Sequence, residues 1–369
     1  MVGLRERYYG CIASTWIGSS MGAAVEGWEW RRIEQAYGRL AELLPYEHYD
    51  NGWMRPPGTT EDGIERQKLF AEAIIERGGR VTAADVVGVW KRLLDPEKVM
   101  HKQEAFDVAL LELARAGTPH SMIGTMWPHP NVNSVARAAH PIGLINAADP
   151  ERAAADTFDV GRLYAYDNVP ALRWAALYNA GIAAACAPDA TIDTVVETMR
   201  SFASYRRDAA GLYGRYDTIA DELDRAIEIA RRHHDYRAFR DEFDTIYHGG
   251  SHVVYSLSQA NEIICKGVAL FVFSEAVPEQ TIVNAVNLGR DTDCIAAVSG
   301  GLSGALSGGS GLPDEWVQRV DEATSQDPYT CVHHSIGETA NLLYDAFLSR
   351  RARLEEYLRT TGADGYLTR

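Results

Sequence analysis

The chain is poor in cysteine, short of positive charge, and has no sustained alternation of polar and apolar residues. Its five cysteines, Cys11, Cys186, Cys265, Cys294 and Cys331, are scattered, and no CxxC pair occurs. That argues against a disulfide framework or a cysteine zinc site and fits a reducing, cytoplasmic compartment. A net charge of −15 leaves no basic stripe of the kind that binds a nucleic-acid backbone, so sequence-specific nucleic-acid binding is not expected. It does not exclude a nucleotide-sized ligand held through a metal. The uncharged stretch from Tyr8 to Val25 follows Arg5 and Arg7 as a signal peptide would. Its Gly, Ser and Thr content reads instead as a buried first helix. No other stretch is long and apolar enough to span a membrane, so no membrane partner is expected. The absence of alternation excludes any extensive sheet.

What remains is helical patterning, with no repeat and no low-complexity linker. The expectation is one all-α, compact multi-helix domain over residues 1–369. The first helix runs through Tyr8 and ends near Gly18 or Gly22. Tyr46 to Pro57 reads as a loop, with Asn51-Gly52 and Pro56-Pro57 as breakers. A helix follows from Ile64 to Arg77, with Thr60 as its N-cap and Gly78-Gly79 past its end. Thr82 with Asp85 caps the next helix, which stops before Pro96. Gly117 to Pro150 reads as a long irregular region of the kind that carries function. Pro170 starts a helix that is apolar nearly all round and belongs in the core. The segments Thr191 to Ser204, Thr218 to His233 and Tyr236 to Tyr247 are amphipathic, and Val253 to Ser274 is central. Ser335 with Glu338 forms a capping box before the last helix, whose Arg350-Arg351-Ala352-Arg353 end is placed in solvent.

The run Ile295 to Ala305 consists largely of Gly, Ala and Ser and reads as a tightly buried helix against which other backbones come close. Asp291 and Asp293 stand where it begins. Asp293 has two readings: an N-cap for the first turn, or, with Asp291, a ligand to a hard metal ion. Glu26 after the first helix and Thr60-Glu61-Asp62 at another helix start add further oxygen donors. Oxygen-rich sets suit Mg²⁺, Mn²⁺ or Ca²⁺. Five carboxylates brought together repel unless cations neutralise them, which makes two ions more natural than one. Elsewhere, His248 and His252 lack an HExxH frame and read as packing or a substrate contact rather than zinc ligands. Trp28, Trp30, Trp53 and Trp127 each read as packing residues, with stacking on a base as the alternative. Cys294 reads as a small buried thiol.

Taken in order, Gly18, Gly22 and Glu26, then Thr60-Glu61-Asp62-Gly63, then Gly289-Arg290-Asp291-Thr292-Asp293-Cys294 resemble the motifs of the ADP-ribosylglycohydrolase family over roughly residues 8 to 310. The resemblance implies an all-helical hydrolase that cleaves the N- or O-glycosidic bond at C1″ of an ADP-ribosyl group, with Mg²⁺ or Mn²⁺, one or two ions, as cofactor. Its partner would be a small-molecule or ADP-ribosylated substrate. By the same likeness, Thr60, Glu61, Asp62 and Asp293 hold one ion. Glu26, Asp291, Asp293 and the position of Cys294 hold the other. Glu26 or Glu61 serves as catalytic proton acceptor. The segment from Asn131 to Gly143 resembles a family stretch that contacts the substrate, and the segment Gly250 to Tyr255 resembles the one opening the later core helix; Asn131, Asn133, Arg137, Ser251 and His252 are the candidate substrate contacts. Four positions depart from the family pattern: Ser19 and Glu61 replace aspartates, and Gly63 and Cys294 replace threonines. The soft sulfur of Cys294 suits Mg²⁺ poorly. Two alternatives stay open: an N-glycosidase for a free nucleoside or nucleotide, and an inactive relative used as a binding protein.

Overall fold

A computed structural model describes residues 2–48, 51–126, 132–166, 169–204, 218–247 and 258–362. In chain order the helices are α1 (Leu4–Ala23), α2 (Trp30–Tyr37), α3 (Asp62–Arg77), α4 (Ala83–Leu93), α5 (Pro96–Lys102), α6 (Ala105–Arg115), α7 (His120–Ile123), α8 (Ser134–Ala138), α9 (His140–Ile145) and α10 (Pro150–Gly161). There follow α11 (Pro170–Ala185), α12 (Ile192–Phe202), α13 (Thr218–Arg232), α14 (Tyr236–Tyr247), α15 (Ala260–Phe273), α16 (Pro278–Val286), α17 (Thr292–Ser307), α18 (Asp314–Gln326) and α19 (Ile336–Thr361). Two short antiparallel strands, β1 (Tyr46–Glu47) and β2 (Met54–Arg55), interrupt the stretch read as loop. No helix among the described residues is long and apolar enough to cross a membrane.

The architecture starts from two stripes of small residues at a spacing of four, which keeps them on one face of a helix. On α1 the stripe is Gly10, Ser14, Gly18 and Gly22. On α17 it is Ala296, Gly300 and Gly304, continued by Gly308 just beyond its end. The stripes face each other in antiparallel order. A Cβ on Gly22 would lie 2.5 Å from Asp293 Cα, one on Gly18 would lie 2.5 Å from Ala296 O, and one on Gly300 would lie 2.8 Å from Ser14 O. Backbone thus touches backbone along the pair, and both helices are buried almost throughout. The antiparallel order brings the end of α1 to the start of α17, where the Thr292 hydroxyl donates to Gly22 O at 2.8 Å. Around this pair pack α15, α16, α19 and α11, the last being the helix expected to be apolar all round.

A chain of buried hydrogen bonds crosses five of these helices. Trp16 Nε1 donates to Gln67 Oε1 at 2.8 Å, and Gln67 Nε2 lies 3.0 Å from His140 Nδ1. His140 Nε2 lies 2.8 Å from the Tyr178 hydroxyl, which itself donates to Val298 O at 2.7 Å. Because the hydroxyl proton goes to Val298, His140 carries its proton on Nε2 and accepts from Gln67 at Nδ1. Burial pushes the imidazole down to about 3 from its usual 6.5. A second buried group joins α3 to the loop after α18. Glu65 lies 2.9 Å from Lys68 Nζ and accepts from Cys331 N at 3.0 Å.

Several boundaries differ from expectation. The N-cap of α3 is Glu61, not Thr60, and its side chain makes no cap bond. Neither Asp291, the N-cap of α17, nor Asp293 caps the helix. Within Gly117 to Pro150 the described residues form the short helices α7, α8 and α9, and Pro141 and Pro150 sit in the first turns of α9 and α10, where no N–H is needed. Pro96 likewise opens α5, and α6 follows it; both lie in a stretch that had no assigned element. The central helix read from Val253 begins at Ala260, and residues 253–257 lie outside the described set. Arg350 is not wholly solvated: its guanidinium bonds to Asn146 Oδ1 at 2.9 Å. The capping boxes at Thr82 and Ser335 form as expected.

Two expectations follow. Gly18→Val forces a side chain into the backbone of α17 and should cost about 2–3 kcal/mol or prevent folding; an unchanged Tm would refute the close approach. His140, with its folded pKa below the unfolded value, contributes stability that is complete above 6.5 and is lost as pH falls from 6.5 toward 3. Nitrogen NMR should therefore find its ring neutral and protonated on Nε2 at about pH 5; a ring charged at that pH would contradict the network.

Candidate metal centre

Three distant segments meet beyond the paired ends of α1 and α17. The turn after α1 carries Glu26, and it is fastened by backbone. Gly27 N donates to Arg290 O at 2.8 Å, and Arg290 N donates to Trp28 O at 2.7 Å. Arg290 takes a positive φ of 68°, and its guanidinium grips buried Glu262 at 2.7 and 2.9 Å. The start of α3 supplies Thr60, Glu61 and Asp62, held against α1 where Glu61 N donates to Ser19 Oγ at 3.4 Å. The start of α17 supplies Asp291 and Asp293. Thr60, Glu61, Asp62, Asp291 and Asp293 are buried, each 2% exposed or less. The N-terminal ends of α3 and α17 both face the cluster, which favours negative charge there.

Capping does not account for this burial. Among the described residues, four oxygens in the cluster are buried with no hydrogen-bond partner: Thr60 Oγ1, Glu61 Oε1, Asp291 Oδ1 and Asp293 Oδ1. Burial raises Glu26 well above the usual carboxylate range, and the charges of Asp293, Asp291 and Glu61 raise it further. Burial also raises Asp293, reinforced by Asp291 and only partly opposed by Arg137. Asp291 rises through burial as well. Asp62 behaves oppositely. Burial would raise it, but Arg137 and Arg66 outweigh that and hold it below the ordinary range. Arg66 Nη1 lies 2.9 Å from Asp62 Oδ2, and Arg137 Nη2 bonds to the same oxygen.

Among the described residues, ligand-type atoms fall into two groups, each within 4.8 Å: Glu26, His48 and Glu61, and Asp291, Asp293 and Cys294. His48 had not been singled out. It enters from the loop after β1, with Nδ1 3.6 Å from Glu26 Oε2 and Nε2 3.8 Å from Glu61 Oε2. No spacing rule marks a lone histidine between Glu47 and Tyr49; only the β1–β2 fold-back brings it over the acids. Arg55 on β2, likewise unforeseen, is fully buried, with Nε 3.8 Å from Glu61 Oε1. The free oxygens form a hard-donor set that fits a divalent cation. Cys294 does not belong to that set. Its Sγ accepts from Arg137 Nη1 at 3.0 Å and lies 3.4 Å from Asp293 Oδ2, and burial keeps the thiol protonated.

Asn133, at the start of α8, donates from Nδ2 to Asp291 Oδ2 at 2.8 Å, and its Oδ1 has no partner among the described residues. Arg137, one turn on, is buried within the acids. Asn131, Ser251, His252, His248 and Trp127 lie outside the described residues. The other tryptophans are packed. Trp28 stacks on Tyr37, Trp30 lies under Arg240, and Trp53 meets Tyr329 edge-on.

The comparisons agree with this architecture. The profile of the ADP-ribosylglycohydrolase family matches residues 2–353. An uncharacterized protein of Archaeoglobus fulgidus is 23% identical over 334 residues, 86% of this chain and 93% of that protein. A stretch of 39 residues, 11% of this chain, is 54% identical to 10% of the ADP-ribosylarginine hydrolase Tri1 of Pseudomonas putida. A solved chain of an ADP-ribosylglycohydrolase-related protein complex superposes with a TM-score of 0.62 at 16% identity, covering 94% of this chain and 98% of that one, which speaks for the fold. With the motifs in order and the profile running through nearly the whole length, the chain belongs to the ADP-ribosylglycohydrolase family.

Proposed function

We propose that this protein hydrolyses the glycosidic bond at C1″ of an ADP-ribosyl group, N- or O-linked, with Mg²⁺ or Mn²⁺ held by Glu26, Thr60, Glu61, Asp291 and Asp293. The observation that carries the reading is the set of buried oxygens with no hydrogen-bond partner among the described residues, Thr60 Oγ1, Glu61 Oε1, Asp291 Oδ1 and Asp293 Oδ1. A buried acceptor left unpaired costs about 1–3 kcal/mol, so four together in one place call for a cation. When bound, that ion supplies Lewis acidity toward the ribose hydroxyls and water.

The chain's own residues do the rest. The surrounding carboxylates stabilise positive charge that develops at the anomeric carbon as the bond to the leaving group stretches. Glu26 is the least buried of the acids, its side chain 16% exposed against 2% for Glu61. It is therefore the one that water reaches, and its Oε2 takes the proton of the attacking water. His48 Nδ1, 3.6 Å away, is placed to relay that proton so that the departing nitrogen or oxygen leaves protonated as the hydroxyl bonds to C1″. Asn133 Oδ1 accepts a hydrogen bond from a ribose hydroxyl while its Nδ2 steadies Asp291.

The leaving group is proposed as arginine or another amino-acid side chain, in line with the partial match to an ADP-ribosylarginine hydrolase. The test is a Mn²⁺-supplemented assay of ADP-ribosyl-arginine, an O-linked ADP-ribosyl conjugate and free nucleosides, following released ribosyl product. Glu26→Gln and Asp291→Asn should each lower kcat/KM on the conjugate by about 100-fold or more with an unchanged fold. Full activity in either variant, or turnover of free nucleosides alone, would overturn the reading. Saturating Mn²⁺ at about 100 Kd should also stabilise the protein by about 2.7 kcal/mol, reversibly on chelation; an unmoved Tm would count against a resident ion.

A further inference from the structure

The Arg137 guanidinium lies inside the acidic cluster, and the proposed chemistry makes no use of it. Its Nη2 bonds to Asp62, and its Nη1 lies 3.5 Å from Asp293 Oδ2 and 3.0 Å from Cys294 Sγ. Arg137 is buried, its guanidinium keeps its charge as arginine does in any protein, and it pairs with the carboxylates of Asp62 and Asp293. A fixed cation between two carboxylates relieves their repulsion as an added ion would.

Two neighbours are shaped to this side chain. Gly63 has no Cβ, and one built there would lie 2.9 Å from Arg137 Cδ and 3.1 Å from its Nε. A threonine at that position would need the space the arginine takes. Cys294 offers a sulfur that accepts from Arg137 and leans on Asp293, where a hydroxyl would be a better partner for a hard ion. Asp62 is then taken up by two guanidinium groups, Arg137 and Arg66. None of the four unpartnered oxygens, on Thr60, Glu61, Asp291 and Asp293, is an atom that Arg137 touches.

We infer that Arg137 is a resident cation standing in for one of the two ions that five clustered carboxylates would otherwise require, so that the pocket takes a single Mg²⁺ or Mn²⁺. That ion is held by Glu26, Glu61, Asp291, Asp293 and the Thr60 hydroxyl, and Asp62 serves Arg137 instead. Arg137 is then a positioning residue rather than a substrate contact. The departures at Gly63 and Cys294 become one adaptation rather than two defects. The inference rests on the pocket being a divalent-cation site at all.

The experiment counts ions rather than turnover. Metal-stripped wild-type protein is titrated with Mn²⁺ by calorimetry, and the product is examined by electron paramagnetic resonance. One ion per chain with the hyperfine pattern of an isolated Mn²⁺ is expected. The double variant Arg137→Ala, Cys294→Thr should take up two ions with an exchange-coupled spectrum. Two coupled ions in the wild type would overturn this inference and leave the proposed function standing. No ion in the wild type would overturn both. A double variant that folds and still binds one ion would show that Arg137 does not exclude the second, and would also overturn the inference. The wild-type count decides the matter even where the double variant fails to fold.

Discussion

The contact between α1 and α17 is what the rest of the structure depends on. Two helices lie backbone against backbone because Gly10, Ser14, Gly18 and Gly22 face Gly304, Gly300, Ala296 and Asp293 in antiparallel order. Interiors are packed densely enough that a single methylene in such a seam is felt. The seam sets the depth at which Asp291 and Asp293 begin their helix, and the same geometry delivers Glu26 to them. Every other part of the cluster is hung from that junction, α3 through Ser19 and Glu61 N, and α8 through Asn133 and Arg137.

What the seam creates is a charge problem. Five carboxylates converge in a region from which water is largely excluded, and burial pushes Glu26, Asp291 and Asp293 toward their protonated forms. The chain answers in two ways. Arg66 and Arg137 hold Asp62 ionised, and two helix N-termini add partial positive charge. Thr60 Oγ1, Glu61 Oε1, Asp291 Oδ1 and Asp293 Oδ1 are left with no hydrogen-bond partner among the described residues. A fold does not bury unpaired acceptors without cost, and the family to which the chain belongs is one of glycohydrolases. Together these make a cation-assisted glycosidic hydrolysis the natural reading of the pocket.

Much of this was legible in the residues, for identifiable reasons. The small-residue run after Asp293 announced a close-packed helix because few other structures use Gly and Ala so densely without turns. The capping boxes at Thr82 and Ser335 were readable because their chemistry is local. The acidic helix starts were visible, and the residues alone left Asp293 open as a cap or a metal ligand; in the fold its Oδ1 has no hydrogen-bond partner among the described residues. The prolines from Pro96 to Pro150 misled because Pro both breaks helices and begins them, and position alone does not say which. His48 and Arg55 were invisible because they reach the cluster through a two-residue strand pair with no periodicity of its own. Gly63 and Cys294 read as losses. Their relation to Arg137 exists only in three dimensions.

In the proposed function, oxygens from three distant segments surround one divalent cation at the mouth of the α1–α17 seam. Anomalous scattering from a crystal grown with Mn²⁺ tests it most directly. A strong peak bounded by Glu26, Glu61, Asp291 and Asp293 is expected. A map with its only peak elsewhere on the molecule, or with none, would contradict it.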